Sequence, residues 1–131
     1  DKLDQFGYNP EIIGSKNQEI LDKYNTIKKK FQNKRLELIK EDFDAKKAKD
    51  TKLITKLEND YNKLIKRKVL FTTNFAISNA DSEVAPYLGL SEMYNASLKM
   101  LDTLSNSLSD KVKKSDYGKR FQKYLAKIKT E

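Results

Sequence analysis

The chain has 131 residues, with 27 Lys plus Arg against 19 Asp plus Glu, and it contains no Cys and no His. This length suits one domain with a single core, and the missing thiols and imidazoles exclude cysteine nucleophiles, disulfides, Ser-His-Asp triads and the usual zinc sites. We therefore expect a chain that is not itself an enzyme and that uses no cofactor and no metal. The longest uncharged stretch, Val69 to Ala80, is far shorter than the roughly 20 apolar residues of a membrane-spanning helix, so no span is predicted.

The N-terminal segment, Asp1 to Gly14, has no helical periodicity and is predicted to be an extended leader. Because residue 1 is Asp rather than Met, we expect the chain to be a piece of a longer protein. Ser15-Lys16-Asn17-Gln18 then fits a capping box, in which the Ser and Gln side chains satisfy free backbone N–H groups. A helix is predicted to begin there.

Two long helices are predicted between residues 15 and 79. In the first, apolar residues recur every three or four positions: Ile20, Tyr24, Ile27 and Phe31. A lysine-rich stretch follows, in which Asp50 or Thr51 can cap the next helix. In the second helix the apolar positions are Leu57, Tyr61, Leu64, Phe71 and Phe75. Because the connection is short, the two helices are predicted to form an antiparallel hairpin.

The rest of the chain is predicted to cover the uncharged end of this hairpin. Asp81 or Ser82 can cap a short helix that has Pro86 in its first turn. A second helix carries Leu98, Leu101 and other leucines, 109–114 is predicted to be a turn, and Ser115-Asp116 starts a final helix. The predicted fold is all-α: one helical domain, 15–131, with a hairpin over 15–79 and about three shorter helices capping it over 82–129.

Several segments, taken in chain order, carry a likeness to a known family. They are Gly14-Ser15-Lys16-Asn17, Phe75-Ala76-Ile77-Ser78-Asn79 with Ser82, Leu101-Asp102-Thr103-Leu104 with Leu108-Ser109, and Ser115-Asp116-Tyr117-Gly118-Lys119. Together they resemble the helical region of the TlpA-like, thioredoxin-fold thiol-disulfide oxidoreductases of the Bacteroidetes cell envelope. The similarity covers about Ile13 to Lys129.

The resemblance implies an accessory role. In that family a small β domain precedes the helical region, and a thioredoxin-fold domain with a Cys-x-x-Cys site follows it. Disulfide exchange requires a thiolate, so no catalytic residue carries over to this cysteine-free chain. The implied function is a non-catalytic spacer, orienting or dimerisation domain in the periplasm or cell envelope, with the adjacent redox domain or another protein as its partner.

Two other functions are weighed beside this one. The first is a freestanding helical adaptor that binds protein partners through its hairpin, and a homodimer is left open. The second is nucleic-acid binding, because the whole excess of positive charge lies between Lys16 and Lys68, with Tyr24, Phe31 or Tyr61 offered to bases. Nucleic acid ranks third, since nearly all the cations are Lys rather than Arg and acids are interleaved among them.

Two residue groups are candidate sites. The acid cluster Glu41, Asp42 and Asp44 is interpreted as solvated surface rather than as a metal site, because neighbouring helical positions point in different directions. The second group is apolar and lies where the hairpin meets the short helices. Within it, Phe71, Phe75 and Leu88 are assigned to the core. The group also includes Leu90. Three members are left open between core and contact surface, and these are the candidate protein-contact surface: Tyr87, Met93 and Tyr94.

Overall fold

The computed structural model describes residues 15–130, and side chains from Lys16 onward. This part of the chain consists of six helices and no strand: α1 Ser15–Lys47, α2 Thr51–Ser78, α3 Val84–Ser91, α4 Leu98–Ser107, α5 Asp110–Lys113 and α6 Asp116–Lys129. The all-α fold, with two long helices followed by shorter ones, is confirmed. The predicted leader, Asp1 to Gly14, lies outside the described residues, as does the Ser15 side chain of the predicted capping box.

The reversal between α1 and α2 takes only three residues, 48–50. The backbone N–H of Asp50 donates to the carbonyl of Ala45 at 3.0 Å, which closes the end of α1. Lys49 takes the left-handed backbone conformation, with φ of 56°, at a position where glycine is usual. The Asp50 carboxylate then accepts from the N–H of Leu53 at 3.1 Å. Asp50 is therefore the cap that the sequence predicted for α2.

Two apolar clusters hold the hairpin. The distal cluster, towards the turn, is built from buried residues of both long helices: Leu38, Ala45, Leu57 and Leu64. The main cluster lies at the other end, where α3 to α6 cover the hairpin. There Tyr24 stacks on Phe71 with ring centroids 5.9 Å apart, and Phe75 lies 5.5 Å from Tyr24. Leu88 is buried, and Phe71 and Phe75 pack against the main cluster, as predicted.

The uncharged end of α2 is covered on several sides. Thr72 and Ala76 are fully buried there, which explains why this stretch carries no charge. Pro86 lies in the first turn of α3, and the Ser82 hydroxyl accepts from the N–H of Val84 at 3.1 Å. The helix therefore begins as predicted, although the Ser82 contact is an ST-type turn just before the first residue rather than a standard cap.

One predicted loop is helical. Residues 110–113, predicted to be part of a turn, form the short helix α5. Ser109 caps it by accepting from the N–H of Val112 at 3.3 Å, and Val112 is buried in the main cluster. One buried apolar residue and one cap are enough to hold a single helical turn, and neither produces a periodic pattern that could be read from the sequence.

The final helix is tied to its neighbours at both ends. At its start, Ser115 accepts from the N–H of Gly118 at 3.1 Å. At its end, Lys129 forms an ion pair with Asp102 of α4 at 2.7 Å. Between residues 15 and 130, no helix has the length and apolar content needed to cross a membrane.

Candidate protein-contact surface

Glu92 joins the hairpin to the group of shorter helices, α3 to α6, that covers it, here called the cap. Its carboxylate follows α3 and lies 2.7 Å from the ammonium of Lys28 in α1 and 3.4 Å from that of Lys68 in α2. The Glu92 side chain is only 16% exposed. Three elements therefore meet on one shielded carboxylate.

Tyr94 projects from the loop directly after this ion cluster and is 76% exposed, more than any other large apolar side chain of the described chain. It stands between two grooves. One, of about 340 Å³, is lined by Phe31, Tyr61 and Lys68 among others. The other, of about 410 Å³, lies on the α1–α3 side. An exposed tyrosine flanked by two clefts can supply a large, partly polar contact area to a protein partner.

The three residues predicted for the contact surface differ in how far they are buried. Tyr94 is exposed, as a contact residue must be. Tyr87 is half-buried, lines the groove between α1 and α3, and packs edge-on against Tyr117 with centroids 5.5 Å apart. Met93 is fully buried in the main cluster. The assignment of Met93 to a surface is corrected: its flexible apolar side chain fills the core beneath the loop.

The aromatic residues proposed to stack on bases are packed inside the hairpin. Tyr24 is 1% exposed, and its hydroxyl shares a 2.9 Å hydrogen bond with that of Thr72. Phe31 and Tyr61 are half-buried and pack against the distal cluster. Base stacking requires an accessible ring face, so the nucleic-acid hypothesis retains only its positive charge.

Burial also changes the acidity of Tyr24. Desolvation raises the pKa of its phenol from 10.0 to about 12, the hydrogen bond with Thr72 acts in the opposite direction, and the charge of Glu92 adds to the increase. The phenol is therefore a neutral structural group at physiological pH rather than a reactive one.

The acid cluster is dispersed by the helix, as the sequence suggested. Asp42 turns towards the hairpin groove and pairs with Lys46 at 2.8 Å, whereas Glu41 and Asp44 are exposed. Within residues 15–130, no group of three or more acidic side chains is arranged to hold a metal ion.

Three of the segments that carry the family resemblance each contribute one residue, Asn17, Ser82 and Ser115, to the same place. The Ser82 hydroxyl lies 2.7 Å from the side-chain oxygen of Asn17, linking the start of α1 to the start of α3. A cavity of about 250 Å³ is lined by these two residues together with Lys111 and Ser115. The junction brings together the first turn of α1, the α2–α3 connection and the α5–α6 connection, beside the point where α1 begins.

A second exposed apolar feature was not found from the sequence. Leu36, Ile39 and Phe43 of α1, here called the distal stripe, are 62%, 45% and 59% exposed. Their spacing of three and four residues is visible in the sequence, but Leu38 lies among them, and spacing alone does not say which of these residues face the core. The wheel positions separate them: Leu38 faces α2, while Ile39 and Phe43 face outward.

Comparison with known proteins adds no neighbour. No protein-family model, no curated protein and no solved structure matches the chain. The likeness to the helical region of TlpA-like oxidoreductases therefore depends on the sequence segments given above.

Proposed function

We propose that this chain is a non-catalytic helical accessory domain of a cell-envelope thiol-disulfide oxidoreductase, and that it orients the adjacent redox domain through the surface around Tyr94. The single observation that carries the contact surface is the 76% exposure of Tyr94 next to the Glu92 cluster. A large aromatic side chain left in solvent costs free energy that a partner can recover by covering it.

The rigidity of the domain supports an orienting role. A domain can fix the position of its neighbour only if its own parts do not move relative to one another. Here Glu92 binds both helices of the hairpin, and Ser82 contacts Asn17. The backbone N–H of Ser109 also donates to the carbonyl of Ala80 at 3.2 Å. The cap is therefore attached to the hairpin at several separate points.

The first test is the coding sequence that follows Glu131. We expect a Cys-x-x-Cys motif in a strand-helix pattern within about 100 residues, the length of one further domain. A coding sequence without that motif would remove the basis for a redox parent.

The second test uses the longer protein. Hydrogen exchange should be slower at the loop containing Tyr94 in the longer protein than in this chain alone, and Tyr94→Ala should abolish the difference. Leu70→Ala is the matched control, because Leu70 is also an exposed apolar residue, at 50%, but lies on α2 and lines neither groove beside Tyr94. Equal exchange in both proteins would contradict an orienting contact at Tyr94.

The alternative function, a freestanding adaptor that binds proteins through its hairpin, is favoured by a different observation. The distal stripe begins about 12 Å along α1 from Lys28, and none of its three residues packs against the main cluster.

A further inference from the structure

The distal stripe forms a continuous apolar face. On a helical wheel with about 100° per residue, Leu36, Ile39 and Phe43 fall within about 60° of one another. They span two turns of α1, and each is at least 45% exposed. Three adjacent large side chains at this spacing match the contact set that one helix offers to another.

The charges beside the stripe are not random. The outer edge of the stripe is the side that faces away from α2. The charged residues on this edge in the last three turns of α1 are Lys40 and Lys47, which lie within about 70° of the stripe centre on the same wheel. Both are exposed. The ammonium of Lys47 lies 4.8 Å from the centre of the Phe43 ring. The acids Glu37, Glu41 and Asp44 lie more than about 100° from the stripe centre. This edge therefore presents apolar surface bordered by positive charge.

The inner edge of the stripe borders a groove between α1 and α2. This groove, of about 420 Å³, is lined by Ile39 together with Tyr61, Asn62 and others. The charged residues that line it are Asp42, which pairs with Lys46 at 2.8 Å, and Glu58. At the wall of the groove, the Tyr61 hydroxyl accepts a hydrogen bond from the Arg35 Nε at 3.2 Å. The inner edge therefore offers a concave, mixed-charge wall rather than a second basic one.

We propose that the distal stripe is a docking site for an amphipathic helix of a partner protein whose apolar face is bordered on one side by acidic residues. The apolar face covers Leu36, Ile39 and Phe43, and the acidic edge lies along Lys40 and Lys47. The opposite edge rests over the groove beside Glu58 and is neutral or basic. This inference names the partner of the adaptor function and does not require a redox parent.

Two other occupants fit less well. A second copy packed antiparallel would bring Lys40 and Lys47 close to their own counterparts, and like charges at an interface oppose association. A second copy packed parallel would avoid this, so self-association that is lost in Ile39→Ala/Phe43→Ala, measured by light scattering, would assign the stripe to a dimer instead and overturn the proposal. An anionic membrane favours a broad apolar face with flanking lysines, whereas the stripe spans two turns and is bordered by a concave groove. The acidic helix satisfies both the positive edge and the concave one.

The experiment uses this whole chain and a displayed library of amphipathic helices of about 20 residues. Leucines are fixed on one face, and Glu, Gln or Lys is varied along both edges. We expect selected helices to carry Glu along one edge. Ile39→Ala/Phe43→Ala should weaken their binding at least about tenfold, and Lys40→Glu/Lys47→Glu should switch the selected edge from Glu to Lys. Leu70→Ala is the control and should leave binding unchanged.

Several outcomes would overturn the proposal. The first is that the chain enriches no helices beyond those enriched by the Ile39→Ala/Phe43→Ala protein. The second is that the enriched helices show no preference for charge on either edge. The third is that the stripe substitutions leave helix binding unchanged. Stripe-dependent uptake by vesicles of equal parts phosphatidylcholine and phosphatidylserine, with no helix selected, would assign the surface to membranes instead. Because all the substituted side chains are exposed, the variants should fold, and circular dichroism melting checks this. Failure here leaves the Tyr94 surface and the redox parent to be judged by their own tests.

Discussion

The hydroxyl of Tyr24 and the hydroxyl of Thr72 form a 2.9 Å hydrogen bond inside the interface of the two long helices. Tyr24 is 1% exposed and Thr72 is not exposed at all. Each hydroxyl gives the other a hydrogen-bond partner that it would otherwise lack in the buried interface. The tyrosine ring stacks on Phe71 in the same place. This contact joins the two long helices at the end where the shorter helices cover them.

Removing one hydroxyl of this pair should cost more than removing both. Tyr24→Phe leaves Thr72 without its partner and should lower the free energy of unfolding by about 1 to 2 kcal/mol. Adding Thr72→Val should recover much of that loss, because no unpaired hydroxyl then remains in the interface. Urea unfolding of the four proteins in this double-mutant cycle measures the coupling. Strictly additive effects would show that the two hydroxyls do not depend on each other.

The same tyrosine should make the fold sensitive to alkali. Its pKa is about 12 in the folded chain and about 10 when unfolded, so between these values the folded state binds the extra proton. Stability is then fully present below pH 10 and falls as pH rises towards 12, by roughly 2 to 3 kcal/mol in total. The difference between the parent chain and Tyr24→Phe isolates this effect from lysine titration. A difference that stays constant from pH 9 to 12 would contradict the assignment.

Glu92 is expected to contribute far more than an ordinary surface ion pair. Glu92→Gln leaves the ammonium groups of Lys28 and Lys68 without their partly buried carboxylate and should cost about 1 to 2 kcal/mol. The matched control is Lys56→Met, which breaks the exposed pair with Asp60 and should change stability by less than about 0.5 kcal/mol. Chemical unfolding gives both values. Equal effects of the two substitutions would mean that Glu92 does not join the cap to the hairpin.

The hairpin could be predicted because its signals are periodic. Leu57, Tyr61 and Leu64 recur at helical intervals, and Asp50 has a side chain suited to capping, so the helix boundaries near the turn followed directly. The final helix α6 also begins at its predicted cap, Ser115. Local chemistry determines these features, and a single sequence contains it.

The contacts between distant segments could not be predicted in the same way. Lys28, Lys68 and Glu92 are far apart along the chain, and nothing in their local sequence says that they share one site. The burial of Met93 depends on how the loop after α3 folds back over the hairpin. The direction of Ile39 and Phe43 also required knowing where α2 packs on α1, since an apolar residue near a seam can face either way.

The turn of the hairpin contains a residue that glycine should improve. Lys49 holds a φ of 56°, a conformation that costs a side-chain-bearing residue roughly 1 kcal/mol and costs glycine almost nothing. Lys49→Gly should therefore raise the free energy of unfolding by up to about 1 kcal/mol, less the entropy that glycine gains in the unfolded chain. Thermal melting with Lys47→Gly as control separates the two effects, because Lys47 is helical and glycine there should destabilise. Destabilisation by both substitutions would show that the left-handed turn is not retained in solution.

Gly118 is the position where a single added carbon should do most damage to the junction. A methyl group there would overlap the backbone carbonyl oxygen of Val112, which cannot move without disturbing α5. Gly89 is the matched comparison: its methyl group would meet the ring of Phe121 at 2.6 Å, and a side chain can shift more easily than backbone. Alanine normally favours a helix over glycine by about 1 kcal/mol, so any loss of stability reports the collision.

We expect Gly118→Ala to lower the free energy of unfolding by about 3 kcal/mol or more, and Gly89→Ala by about 1 to 3 kcal/mol, the usual range for overpacking. The reason for the difference is that the first collision pushes the start of α6 away from the backbone of Val112 and disturbs the cap of α6, in which the Ser115 hydroxyl accepts from the Gly118 N–H. Urea unfolding monitored by circular dichroism measures both. If Gly118→Ala proved neutral or stabilising, the close approach of the start of α6 to the backbone of Val112 would be wrong.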